Sequence, residues 1–64
     1  MTQAQALTIW AAARERARDD LLAEAARLSR QGLAKEAIRR RVAAGILQVR
    51  AMQDRAQAAA RRIN

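Results

Sequence analysis

Apolar residues in the second half of the chain follow a strict four-three spacing. The eight positions are Ile38, Val42, Gly45, Val49, Met52, Ala56, Ala59 and Ile63. This spacing aligns them along one side of a helix and is typical of the a and d positions of a coiled coil. We name this row the seam. It predicts one helix over residues 34–63, continuous through Gly45, with an apolar side that needs a partner surface.

A second apolar stripe predicts another helix in the first half of the chain. Trp10, Ala13, Ala17, Leu21, Ala25 and Leu28 recur with the helical period. Thr2 and Gln5 have the spacing of a capping box, and Gly32 suits the left-handed residue that follows a helix end. The sequence therefore predicts a helix over residues 3–31 and a turn at residues 32–33.

Two such helices predict an all-α antiparallel hairpin, a single small domain over residues 1–64. A reversal at Gly32 sets large residues of the first helix against small ones of the second. The predicted pairs are Trp10 with Met52 and Ala56, Leu21 with Val42 and Gly45, and Leu28 with Ile38. Because large apolar side chains are few, we expect two hairpins to dimerise into a four-helix bundle. In architecture alone this resembles the Rop family of plasmid RNA-binding hairpin dimers, without any of its motifs.

Composition limits the chemistry that the chain can perform. It has neither His nor Cys, so disulfides, thiolate chemistry and the usual zinc sites are excluded. The hydroxyls of Thr2, Thr8 and Ser29 have no histidine to activate them. Asp19 and Asp20 diverge around a helix and do not converge on one ion. We expect a non-enzymatic protein with no metal and no cofactor.

Neither a membrane span nor a secretion signal is indicated. No apolar run approaches the ~18 residues of a membrane helix. Residues 1–5 lack a basic region followed by an apolar core. We expect a cytoplasmic protein that does not contact a membrane.

Basic residues are concentrated in the second half of a chain whose net charge is +7. Arg41, Arg55 and Arg62 share one flank of the seam with Gln48. Either they pair with acids of the first helix, or they bind an acidic partner or phosphates. The candidate partner-binding residues are Arg39, Arg40, Arg41, Leu47, Gln48, Arg50, Arg55 and Arg62.

The favoured function is a dimeric regulator or inhibitor that binds another protein. It would use the Arg-rich flank and exposed aliphatic residues such as Leu47. Arg and Ala are abundant, as in GC-rich genomes, whose short proteins are often phage or plasmid accessories. A host transcription factor is therefore the suggested target. Trp10, the only aromatic residue, is either a core filler at the open end of the bundle or an interface anchor.

A helix-turn-helix is the alternative interpretation. The spacing of Leu28, Gly32, Ile38, Val42 and Val49 is similar to that of the LuxR-type DNA-binding domain. The resemblance implies a helix break at residues 43–45 and places the polar and basic residues of 39–50 on DNA. Ile46 and Leu47 depart from this pattern, since polar residues usually face the major groove there.

Overall fold

The chain folds into an all-α hairpin, as the sequence predicts. A computed structural model describes residues 1–62 in full and the backbone of Ile63. Helix α1 spans Gln3–Arg30 and helix α2 spans Ala34–Ile63. The two helices pack antiparallel, and the Cα trace extends over 50 × 16 × 9 Å. The hairpin is therefore a thin rod in which α1 and α2 share a single packing interface.

Both ends of α1 carry the caps that the sequence predicts. The Thr2 hydroxyl accepts a hydrogen bond from the Gln5 backbone N–H at 3.1 Å, and the Gln5 side chain accepts one from the Thr2 backbone N–H at 2.8 Å. At the other end Gly32 has a φ of +80°, a conformation that strains residues with a Cβ. The Leu33 N–H then donates to the Leu28 carbonyl at 2.9 Å, the long bond of a Schellman motif. These bonds end α1 and reverse the chain.

Alanine forms the contact between the two helices. Buried residues recur every seven positions on α2, and two alanines and one leucine of α1 are buried with them. They are Ala37, Ala44, Ala51 and Ala58 on α2, with Leu7, Ala11 and Ala25 on α1. Alanine side chains let helix axes approach to the short end of the usual ~8–10 Å range. In the part of the chain that the structure describes, no large side chain is fully buried. The core of the hairpin is therefore thin.

The prediction that the seam packs against α1 is wrong. Seam positions lie one and five residues after the buried alanines, about 100° and 140° around α2. Ile38, Val42, Val49 and Met52 therefore point away from α1 and are 53–60% exposed. The alanine row and the seam share one heptad period, so periodicity alone did not show which of them faces α1. Close packing favoured the smaller side chains.

The predicted residue pairs fail for the same reason. Leu21 and Leu28 are partly buried, but Ala56 is exposed. Trp10 lies beside Gln57 and Arg61 and stays 56% exposed, so it does not fill the core of the hairpin. The side chain of Ile63, the last seam position, lies outside the described residues.

Helix α2 is continuous through Gly45, as the seam predicts. The break at residues 43–45 that a helix-turn-helix requires is therefore a wrong prediction. The expected close helix contact at Gly45 is also wrong. A Cβ added there would meet no described atom within 4 Å beyond the adjacent backbone. The glycine faces outward with the rest of the seam.

The alanine contact can be tested by enlarging one of its residues. Ala51→Leu places three extra carbons between closely packed helices and should lower the free energy of unfolding by ~1–3 kcal/mol. Ala23→Leu, at an exposed position of α1, should change it by less than ~0.5 kcal/mol. Urea denaturation followed by circular dichroism measures both. Equal stability of the two variants would contradict close packing at Ala51.

Candidate functional site

Polar side chains link α1 to α2 along the whole length of the hairpin. Most of these contacts involve a guanidinium of one helix and an oxygen of the other. The pairs are Arg61 with Gln3, Arg62 with Thr8, Arg55 with Glu15, Arg14 with Asp54, Arg18 with Gln48, and Arg40 with Glu24. We name them the polar ladder. Each contact joins positions that meet in one alignment only, so the ladder fixes the register that interchangeable alanines leave open.

One contact of the ladder lies directly beside the alanine row. Asp54 is only 8% exposed, between Ala51 and Ala58. Its carboxylate accepts a hydrogen bond from the Arg14 guanidinium at 2.6 Å. A charge-assisted hydrogen bond of this kind offsets the desolvation of the carboxylate. A shift of one helix along the other would separate Asp54 from Arg14.

A second contact of the ladder is an ion pair between α1 and α2 along one side of the hairpin. Arg55 donates two hydrogen bonds to the Glu15 carboxylate, at 2.8 Å from Nε and 2.5 Å from the terminal nitrogen. These bonds lower the pKa of Glu15 below its ordinary value, with a further contribution from the charges of Arg55 and Arg18. The same bonds raise the pKa of Arg55. Both groups are therefore engaged within the hairpin.

Much of the predicted partner-binding set is engaged in the same way. Arg40 donates to Glu24 at 3.0 Å, and Arg62 donates to the Thr8 hydroxyl at 3.1 Å. Gln48 accepts from Arg18. These residues and Arg55 therefore contact α1 within the hairpin, which agrees with the intramolecular interpretation of the basic flank.

Leu47 also differs from its prediction as an exposed aliphatic residue. It is partly buried, because it shares the heptad row of Arg40 and Asp54, which contact α1. The neighbouring Ile46 takes the exposed position instead, with half of its surface accessible. Ile46 was not among the predicted partner-binding or seam residues because it lies outside the four-three spacing; only the helix-turn-helix interpretation placed it on the surface. Its position beside Gly45 was the available signal.

Three basic residues of the predicted set stay on the surface of α2. Arg39 is within 4.0 Å of Glu36, a distance at the limit for an ion pair. Arg41 and Arg50 form no ion pair within residues 1–62. They are exposed and carry charge that the hairpin does not neutralise.

The side of α2 that points away from α1 combines these charges with the seam. Its apolar residues are 50–60% exposed apart from Gly45, which has no side chain. We name this surface the outer face; its residues are Ile38, Val42, Gly45, Ile46, Val49 and Met52, bordered by Arg39, Arg41 and Arg50. A contiguous apolar row with a charged border is typical of a protein interaction site.

The absence of a side chain at Gly45 leaves a gap in the outer face. An open depression on one side of the glycine is lined by Val42, Ile46 and Val49 with Arg50 at its border. A second depression on the other side lies between the helices, where Arg41 lines it together with Asp19 and Leu22 of α1. We name the two together the notch. It is apolar at its centre, with Arg50 at one edge and Arg41, near Asp19, at the other.

Other kinds of site find little support in the described residues. Within them, no three His, Cys, Asp or Glu side chains converge on a point that could hold a metal ion. Neither helix has an apolar stretch long enough to cross a membrane. No protein family, curated protein or solved structure matches this chain. The exposed apolar row and the unneutralised Arg residues at its border make the outer face of α2 the candidate functional site.

The buried ion pair gives a test of register control. Asp54→Ala should lower the free energy of unfolding by ~1–3 kcal/mol, because the Arg14 guanidinium loses its partner while partly desolvated. Arg14→Met combined with Asp54→Leu should restore stability to within about 1 kcal/mol of wild type. Asp20→Ala, at an exposed acid, is the control. Thermal denaturation of wild type and the three variants measures the effect. If Asp54→Ala were as stable as wild type, the ion pair would be dispensable for stability.

The Glu15–Arg55 pair predicts a dependence of stability on pH. Because folding lowers the pKa of Glu15, its contribution to stability is complete above its ordinary pKa of 4.5 and is lost as the pH falls through the folded value. Wild type should lose more stability than Glu15→Gln between about pH 6 and pH 3. Urea midpoints at each pH give the comparison. Asp20→Asn should follow wild type, and a parallel course for Glu15→Gln would refute the assignment.

Proposed function

We propose that this protein is a small non-enzymatic regulator or inhibitor that acts by binding another protein. The observation that carries the proposal is the outer face of α2. The hairpin leaves five large apolar side chains of α2 exposed in one row, while the residues of α2 that it buries are mainly alanines. A fully buried aliphatic side chain contributes ~2 kcal/mol, so each half-exposed one retains roughly 1 kcal/mol for a partner.

The continuity of α2 supports the same function. Because α2 is already helical in the hairpin, binding through the outer face requires little further loss of chain entropy. The polar ladder adds to this by holding α2 against α1. A partner therefore meets a row of side chains at fixed spacing. This arrangement suits recognition of another helix.

In the absence of a target, we propose that two hairpins pair through their outer faces. The α2 helices would lie inside a four-helix bundle and the α1 helices outside. The thin alanine core supports this resting state, since a chain of this size usually gains stability by association. The dimer would also cover aliphatic residues that otherwise stay in water.

The target class is proposed from composition. Abundant Arg and Ala fit an accessory protein of a phage or plasmid with a GC-rich genome, and such proteins often act on host regulators. A host transcription factor in the cytoplasm is the target that we propose. The unneutralised Arg41 and Arg50 favour an acidic or mixed surface on that target.

A charge placed within the outer face tests the resting dimer. Val49→Asp should convert the dimer to a monomer, because a carboxylate would enter the apolar interface. It should keep its helicity, since Val49 is 53% exposed in the hairpin. Ala23→Asp adds the same charge at an exposed position of α1 and should remain dimeric. Sedimentation velocity and circular dichroism measure both properties, and an unchanged mass for Val49→Asp would contradict the interface.

The same variants test the function. Candidate host transcription factors are titrated with labelled wild type, Val49→Asp and Ala23→Asp. Wild type and Ala23→Asp should bind the target, and Val49→Asp should not. Binding to duplex DNA at physiological salt, with no binding to any transcription factor, would overturn the proposal.

A further inference from the structure

Gly45 lowers the stability of the hairpin without serving its packing. A glycine in the interior of a helix costs about 1 kcal/mol relative to alanine. Close helix contact is a common compensation, but a Cβ at Gly45 would meet no described atom within 4 Å beyond the adjacent backbone. Helix α2 is continuous there and needs no special backbone angle. The hairpin alone gives no physical reason for a glycine at this position.

The surroundings of Gly45 show what it provides. Removing the side chain at this point opens the notch between Val42, Ile46 and Val49. Arg41 and Arg50 border the notch on opposite sides. A helix lying along the seam could therefore place one large apolar side chain at Gly45 and carboxylates on both of its flanks.

A second copy of the chain fills this notch poorly. In the antiparallel alignment that overlaps every seam position, Gly45 faces Ala56 of the other copy; in a parallel alignment it faces Gly45. Neither residue is large enough to occupy the gap. A well-packed interface has few such voids, so the homodimer loses dispersion contacts at its centre.

Charge also favours a different partner over a second copy. Among the acids of α1, Asp19 lines the notch but is paired with Arg18. Asp54 of α2 is buried beside Arg14. Among the described residues, Glu36 is then the only acid of α2 near the surface, and it is already next to Arg39. Two outer faces brought together would oppose cation to cation. Like charges at an interface destabilise it, whereas opposite charges add affinity and speed association.

We propose that the outer face binds an acidic amphipathic helix of the target, with a bulky apolar side chain in the notch and carboxylates on Arg41 and Arg50. The inference rests on the proposed function and names the chemistry of the partner. Because the target helix and a second copy use the same face, they exclude each other. The resting dimer therefore dissociates as the target binds, and each hairpin accepts one target helix.

Two synthetic helices serve as probes for the partner. Both have about four heptads with leucine in the seam positions; one has glutamate on both flanks and the other has lysine. Fluorescence anisotropy should show that the glutamate peptide binds at least ~10-fold more tightly than the lysine peptide. A peptide with the glutamate composition but scrambled leucine spacing should not bind. Equal binding of the glutamate and lysine peptides would overturn the role of Arg41 and Arg50.

Variants at Gly45 separate binding from folding. Gly45→Ala should raise the melting temperature, because alanine is the better helix former, and weaken binding of the glutamate peptide. Gly45→Leu fills the notch and should weaken binding by ~10-fold or more while the hairpin stays folded. Ala23→Leu, on the outside of α1, is the size-matched control and should bind like wild type. A Gly45→Leu protein that binds the peptide normally would overturn the notch as the binding site.

Neutral variants and changes in salt concentration isolate the electrostatic contribution to peptide binding. The double variant Arg41→Gln, Arg50→Gln should bind the glutamate peptide ~10-fold more weakly, and its affinity should depend less on salt. Arg16→Gln with Arg30→Gln, on α1, should leave binding unchanged. Higher salt should weaken the peptide complex, because it screens the attraction between the peptide and the arginines. It should strengthen the homodimer, because it screens the repulsion between the two cationic faces. The same direction of change in both complexes would contradict the proposal.

The outcomes distinguish this inference from the function on which it rests. Native mass spectrometry should show one hairpin with one glutamate peptide, and loss of the dimer as peptide is added. If Val49→Asp disrupts the dimer but the peptide never displaces it, the proposal of an acidic target helix is overturned. The outer face would still be an interaction surface in that case. A protein that stays monomeric and binds no peptide would overturn the proposed function as well. Duplex DNA that displaces bound glutamate peptide would identify a nucleic acid as the occupant and overturn the inference.

Discussion

The close contact of alanine with alanine between α1 and α2 is the constraint on which the structure depends. A helix has a limited circumference, and a row of alanines every seven residues occupies the side that faces the other helix. The larger aliphatic residues of α2 are thereby left on the opposite side. The same contact brings the polar side chains at its edges within hydrogen-bonding distance, so it makes both the ladder and the outer face possible.

The distribution of charge follows from this geometry. Basic residues at the edges of the helix contact meet the acids of α1 and become part of the fold. Those farther around α2, at Arg41 and Arg50, form no ion pair with the described residues. The surplus of Arg in α2 thus divides into two populations, one structural and one available to a partner. Net charge alone does not reveal this division.

Local signals in the sequence were sufficient to predict the elements but not their contact face. The capping box at Thr2, the reversal at Gly32 and the continuity of α2 depend on residues close in the chain, and each was predicted. The side of α2 that meets α1 depends on a competition between two rows with the same period. Aliphatic burial favoured the seam, and close packing with the Arg14–Asp54 pair favoured alanine. The four-three spacing assigned the seam to the core and left Leu47 on the surface, and the structure reverses both.

The tight turn at Gly32 has a consequence for the order of folding. Residues near the turn are close in sequence, whereas partners near the termini, such as Gln3 and Arg61, are separated by almost the whole chain. Loop closure favours the first contacts, so the helices should zip together from the turn toward the free ends. The free ends, where Trp10 lies, should in turn fray first. Gly45 lies on the turn side of the midpoint of α2, so the notch should keep its shape while the ends of the hairpin open and close.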